Sequence, residues 1–113
     1  MRKASSRKAL RLEETIIKEL GAILEQEIQD PRLELVTISG VRLNRDLSVA
    51  EVLYTHSGTE KKMAEVQSGL ESAQGYLRSR LGKRLKLRHT PELRFQWDNF
   101  LESMIYDSPR NDQ

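Results

Sequence analysis

The sequence predicts an α+β domain, a small β-sheet with its apolar face covered by helices. Three observations predict it. Residues 6–29 carry an apolar stripe of helical period. Residues 36–55 hold two β-rich runs around a short polar turn. Residues 60–85 return to helical spacing before the alternating run Leu93-Arg94-Phe95-Gln96-Trp97.

The first helix is expected from about Ser6 to Gln29. Ile16, Ile17, Leu20, Ile23, Leu24 and Ile28 recur on one face of a 3.6-residue period. Ser5 or Ser6 is placed to cap it. Pro31 disfavours helical geometry at Asp30, so the helix should stop there. Glu13, Glu14, Glu19, Glu25 and Glu27 are expected on its solvated face.

Val36–Leu43 and Leu47–Thr55 read as strands. Asn44-Arg45-Asp46 is short and polar, so a hairpin should join them. Ser57-Gly58-Thr59 is placed to cap a second helix that starts near Glu60. Met63, Val66, Leu70, Ala73, Leu77 and Leu81 form its apolar face. Gly69, Gly75 and Gly82 interrupt it, each at about 1 kcal/mol relative to Ala in a regular helix. The stripe keeps its phase across Gly75, and glycine takes non-helical dihedrals without steric cost. A kinked helix, or two helices meeting near Ala73-Gln74-Gly75, is therefore expected rather than a straight rod. The last strand puts Leu93, Phe95 and Trp97 on one side, with the two aromatics in the core.

The chain has 113 residues, enough for one domain, with 32% charged and 37% apolar residues. Residues 1–6 are expected to be a mobile basic arm, 7–100 the folded domain and 101–113 a short polar tail. No apolar run is long enough to span a bilayer, and no apolar core follows the N-terminal cations as in a secretory signal. There are no cysteines, which excludes disulfides, a cysteine nucleophile and thiolate zinc sites. A cytoplasmic protein is expected.

The net charge of +2 conceals an asymmetry. Residues 1–11 carry +5 through Arg2, Lys3, Arg7, Lys8 and Arg11. Residues 12–77 carry −6. Residues 78–94 carry +6, mostly through Arg78, Arg80, Lys83, Arg84, Lys86 and Arg88. Leu77, Leu81, Leu85 and Leu87 can anchor that segment, so its cations should project outward. Two such clusters in an otherwise acidic chain point to a polyanion-binding face, and phosphate-backbone recognition suits them. Arg45 at the hairpin turn is a further candidate. Aromatics make up 5% of the chain, too few for an evident base-stacking platform.

Little supports catalysis. His56 and His89 are the only histidines, and no metal-binding histidine pair, phosphate loop or nucleophile elbow is present. No catalytic residue, metal or cofactor is expected. Two rival readings are a protein-interaction module with charged docking faces, and a small ribonuclease pairing His56 or His89 with a lysine.

Several spaced motifs carry a family resemblance. They are Glu27-Ile28-Gln29-Asp30-Pro31-Arg32-Leu33, then Ser39-Gly40-Val41 through Arg45-Asp46-Leu47 and Ala50-Glu51-Val52. Leu77-Arg78-Ser79-Arg80-Leu81-Gly82-Lys83 and Leu87-Arg88 through Pro91-Glu92-Leu93 complete the set. Over about residues 5–100 this set resembles the ribosome-binding factor A family. The resemblance implies a type II KH-like fold of order α-β-β-α-kink-α-β, with an Ala-x-Gly kink, here Ala73, Gln74 and Gly75, in place of a Gly-x-x-Gly loop. It also implies a non-catalytic assembly factor, here expected as a monomer, with the 30S ribosomal subunit and 16S rRNA as partners. Such a factor assists late 16S rRNA maturation, including processing of the 5′ end, and assembly GTPases take part in its release. In the rival interaction-module reading the charged faces dock a ribosomal protein or GTPase. The family often continues into a Gly- and Arg-containing segment, whereas Phe100 to Gln113 holds no glycine.

Overall fold

The computed structural model describes residues 4–58 and 62–99. These form α1 (Arg7–Glu27), β1 (Val36–Leu43), β2 (Val49–His56), α2 (Met63–Leu85) and β3 (Glu92–Trp97), with a 3-10 turn at Pro31–Leu33. Ser6 caps α1, its Oγ accepting from the Ala9 amide at 3.0 Å. The helix ends at Glu27, and Asp30 opens the 3-10 turn by accepting from the Arg32 amide at 3.0 Å. Thr59 and Glu60, expected to cap and begin the second helix, lie outside the described residues.

The sheet order is β1-β2-β3, with β2 antiparallel to β1 and parallel to β3. The register aligns rows of apolar side chains across the strands. Leu43, Ala50 and Leu93 form one row; Val41, Val52 and Phe95 form the next. These rows meet the buried faces of both helices, where Ile16, Leu20, Ile23, Leu70, Leu77 and Leu81 are fully enclosed. The rows between them carry Arg42, Glu51 and Arg94. Phe95 and Trp97 pack on the core as expected, and Trp97 meets Tyr54 edge to face at 5.7 Å. This is the expected α+β, KH-like arrangement, with helices over one face of a three-stranded sheet.

One expectation about α2 is corrected. It is a single unbroken helix through Ala73-Gln74-Gly75, and no described glycine has a positive φ. The neighbouring side chains hold the helix in phase. Ala73 packs against the core, and Gln74 Nε2 donates to the Leu93 carbonyl at 2.6 Å. One turn-pair earlier, Gln67 Nε2 donates to the Phe95 carbonyl at 3.1 Å. Glu92 donates its amide to Ser48, just before β2, and Asp98 to Tyr54 within it, so Leu93 and Phe95 turn theirs to the outer edge of β3. The two glutamines cap that edge. Gly75 faces solvent, and a Cβ there would meet nothing within 4 Å.

Two further expectations change. Glu13 is buried, not solvated: its Oε2 accepts from the Leu43 amide at 2.7 Å. That carboxylate replaces the strand neighbour that the free edge of β1 lacks. On the same edge Ala4 donates its amide to the Leu43 carbonyl at 2.9 Å. Ala4 is buried, so the expected mobile arm is anchored to the sheet at this residue, while Ser5 and Ser6 are exposed. Met1–Lys3 and the tail 101–113 lie outside the described residues.

Glu13→Ala leaves a buried amide without an acceptor and should cost about 1–3 kcal/mol in urea unfolding. Glu13→Gln, which keeps an acceptor oxygen, should recover most of the loss. Gly75→Ala should raise stability by up to about 1 kcal/mol, because the helix is regular there and the added methyl has room. A destabilised Gly75→Ala protein would return the kink.

Candidate nucleic-acid interface

The expected cationic segment does not project as one surface. Leu77 and Leu81 set the phase of α2, which turns Arg80 and Arg84 toward α1. Arg80 Nε lies 2.8 Å from Glu27 Oε1. Arg84 reaches Glu19 at 2.9 Å and Glu27 at 2.5 Å. The Tyr76 hydroxyl donates to Glu27 at 2.6 Å. The hydrogen bond from Tyr76, then those from Arg84 and Arg80, hold the Glu27 carboxyl at a pKa of about 2. Arg84 is raised in turn, chiefly by its hydrogen bond to Glu19. The outward direction expected for Arg80 and Arg84 is thus corrected: both are committed to an inter-helix ion cluster.

Arg78 donates to the Thr90 carbonyl, from Nη2 at 2.8 Å. Lys83, Lys86 and Arg88 are exposed and form no ion pair with a described residue. Lys86 ends the helix in the left-handed region, at φ 53°, where helices usually place glycine. Beside this terminus is a cavity of about 500 Å³, lined by Gly75, Arg78, Ser79, Arg88, His89 and Thr90. Gly75, Arg78 and Ser79 share one helix face there. The sequence reading missed Ser79 and Thr90. The available signal was Gly82: a Cβ there would sit 2.4 Å from Thr90 Oγ1, so this glycine lets the segment after α2 fold back.

The other candidates converge on the same end of the sheet. The Ala4–Leu43 and Glu13–Leu43 bonds hold the start of α1 against the end of β1. Glu92 donates its amide to Ser48 at 2.9 Å, which holds the start of β3 against the hairpin. Arg7, Lys8 and Arg11 on α1, Arg45 on the hairpin, and Lys83, Lys86 and Arg88 around the end of α2 are all exposed there. Arg2 and Lys3 lie outside the described residues. The first turn of α1 has no acidic residue, although its dipole favours anions at that end. Two of the local acids are engaged: Asp46 is lowered by its hydrogen bond from Ser48, and Glu92 by that from Arg94. The two histidines are separated, since His56 closes β2 and His89 precedes β3 at the opposite end. Among the described residues no three His, Cys, Asp or Glu side chains are grouped as metal ligands, and no helix is long and apolar enough to cross a membrane.

The fold and this cationic end define a small α+β domain of the KH-like class. The sequence model of one family, ribosome-binding factor A, matches residues 8–106, and the chain belongs to that family. A ribosome-binding factor A from Staphylococcus carnosus is 39% identical over 96% of this chain and 99% of its own length. One from Thioalkalivibrio sulfidiphilus is 41% identical over 81% of this chain and 71% of its own. Among solved structures, a Thermotoga maritima protein described as a putative ribosome binding factor A matches at TM-score 0.72 and 34% identity, over 81% of this chain and 88% of that one. The Thermus thermophilus factor fitted into a cryo-electron microscopy map of a 30S complex matches at TM-score 0.66 and 31% identity, over 78% and 92%.

The Glu27 cluster has a defined pH dependence. A lowered carboxyl pKa contributes stability that is complete above the ordinary value of 4.5 and is lost as pH falls toward about 2. Glu27→Gln should remove that part of the acid-unfolding curve and leave stability near pH 7 less dependent on Arg80 and Arg84. Lys86→Gly should raise the melting temperature through about 1 kcal/mol of relieved backbone strain. It also removes an exposed cation, so any polyanion affinity should fall while stability rises.

Proposed function

We propose that this protein binds RNA phosphates through the hairpin end of its sheet. It acts there, without catalysis, as an assembly factor for the 30S subunit. In this reading it assists late maturation of 16S rRNA, including 5′-end processing, and assembly GTPases take part in its release. The carrying observation is the convergence of three separated cationic segments on one end of the domain. Membership of the ribosome-binding factor A family and the relative fitted into a 30S complex support the same reading. The cavity beside Gly75 supplies two arginines, a histidine and two hydroxyls around a bare stretch of helix backbone. Such a surface suits a sugar–phosphate backbone, and the shortage of exposed aromatics disfavours base stacking.

The cations that the ion cluster leaves exposed support a smaller contact set. Lys83, Lys86, Arg88, Arg78, Arg7, Lys8, Arg11 and Arg45 are the proposed contacts, with Arg2 and Lys3 adjoining them in sequence. Arg80 and Arg84 support the surface from their cluster with Glu19 and Glu27.

Neutralising about four to six phosphates should make log affinity for a 16S rRNA fragment fall with log salt at a slope of roughly −3 to −5. Replacing Lys83, Lys86 and Arg88 with Ala should flatten that slope by about 2 to 3, at unchanged melting temperature. Arg80→Ala should lower the melting temperature more than the slope. The rRNA precursor should stay intact during incubation with the protein alone. An unchanged slope, or specific cleavage that follows the protein through purification, would overturn the reading.

A further inference from the structure

At the other end of the domain, α1 and the start of β1 enclose a second concavity of about 380 Å³. Gly21, Leu24 and Glu25 line it from one face of α1, and Ile28, Leu33, Glu34 and Val36 from the connection into β1 and its first residue. Leu35, between the last two, is 52% exposed, the most exposed of the large apolar side chains described.

Gly21 is the anomaly in this groove. A glycine inside a helix costs about 1 kcal/mol relative to Ala. Other helix glycines return that cost in packing: a Cβ on Gly69 would press on Leu33 at 3.0 Å, and one on Gly82 would strike Thr90 at 2.4 Å. A Cβ on Gly21 would meet nothing within 4 Å, and its φ is not left-handed. The fold makes no use of this glycine. A molecule resting against the helix would.

The rim identifies the occupant's chemistry. Glu25 and Glu34 form no ion pair with a described residue, whereas Glu19, Glu27 and Asp30 nearby have arginine partners. Lys18, one turn before Gly21, is not among the lining residues. Two unpaired carboxylates over Leu24, Ile28, Leu33 and Val36 repel phosphate and favour a cation joined to an apolar anchor. The concavity is near the small end of ligand clefts, about 300–1,000 Å³, which suits a few side chains of an extended segment.

We propose that this groove docks an extended, Lys/Arg-rich peptide segment of a partner protein, seating an aliphatic side chain over Gly21 and its basic residues against Glu25 and Glu34. Val36 pairs with His56, far from the hairpin, so this site and the cationic end can be occupied together.

The test is an NMR titration of the isotope-labelled full chain with the peptide acetyl-Lys-Leu-Lys-Arg-Leu-Lys-amide. Amide shifts should be confined to Gly21, Leu24, Glu25, Ile28 and residues 34–36. Gly21→Leu fills the groove mouth without changing charge; it should keep or raise the melting temperature and weaken binding about tenfold or more. The surface pair Glu25→Lys with Glu34→Lys should weaken it comparably and serves if Gly21→Leu misfolds. Absence of binding would overturn the proposal. So would shifts spread to Glu14, Glu65 and Glu71 that ignore Gly21→Leu, or equal binding of a peptide with Glu at every basic position. Shifts at these residues on concentrating the protein alone would assign the groove to a second copy and overturn it as well.

Discussion

Everything at the cationic end depends on the parallel pairing of β3 with β2. Neighbouring parallel strands cannot be joined by a tight turn; the chain must cross the sheet and re-enter at the end where the first strand began. Here the crossover is α2, and its last turn is delivered beside the hairpin because Glu92 pairs with Val49. The basic run that closes α2 therefore has one place to go. The start of α1 is drawn to the same end by Ala4 and Glu13, which satisfy the backbone of Leu43 at the edge of β1. A strand pairing and one buried carboxylate together turn three separated clusters into one surface. The outer edge of β3 receives similar treatment from Gln67 and Gln74, whose amides occupy carbonyls that a further strand would otherwise seek.

The elements themselves were legible because their signals are local. The stripe from Ile16 to Ile28, the serine before it, the polar turn at Asn44-Arg45-Asp46 and the alternation through Trp97 each specify geometry within a few residues. What was hidden is what the long-range partners decide. Arg80 and Arg84 look like free cations until Glu19 and Glu27, more than fifty positions away, are brought against them. Glu13 was misread for a different reason. It sits three residues before Ile16 in the phase of the apolar stripe, so its burial was available, but its chemistry argued for solvent. The Gly75 break failed because a glycine's intrinsic cost says nothing of the contacts on either side; Ala73 and Gln74 hold the helix through it.

Among the described residues, several departures from local rules fall at the two ends of the domain, Leu47 in the hairpin at φ 62° being one of them. A lysine occupies the left-handed position that ends α2, where glycine would be less strained. Cations without any acid fill the first turn of α1, against its dipole. Gly75 and Gly21 weaken two helices and give the core nothing in return. Lys86, Arg7, Lys8 and Gly75 belong to the cationic end, and Gly21 to the acid-rimmed groove at the other. Gly69 and Gly82 differ from these two glycines, since a Cβ at either would crowd a side chain of the same chain. Gly21 and Gly75 have no such contact, and each lines a surface concavity instead. Lys86, Arg7, Lys8 and Gly75 are exposed and Gly21 borders open space, so these departures sit on the surface and leave the packed core untouched.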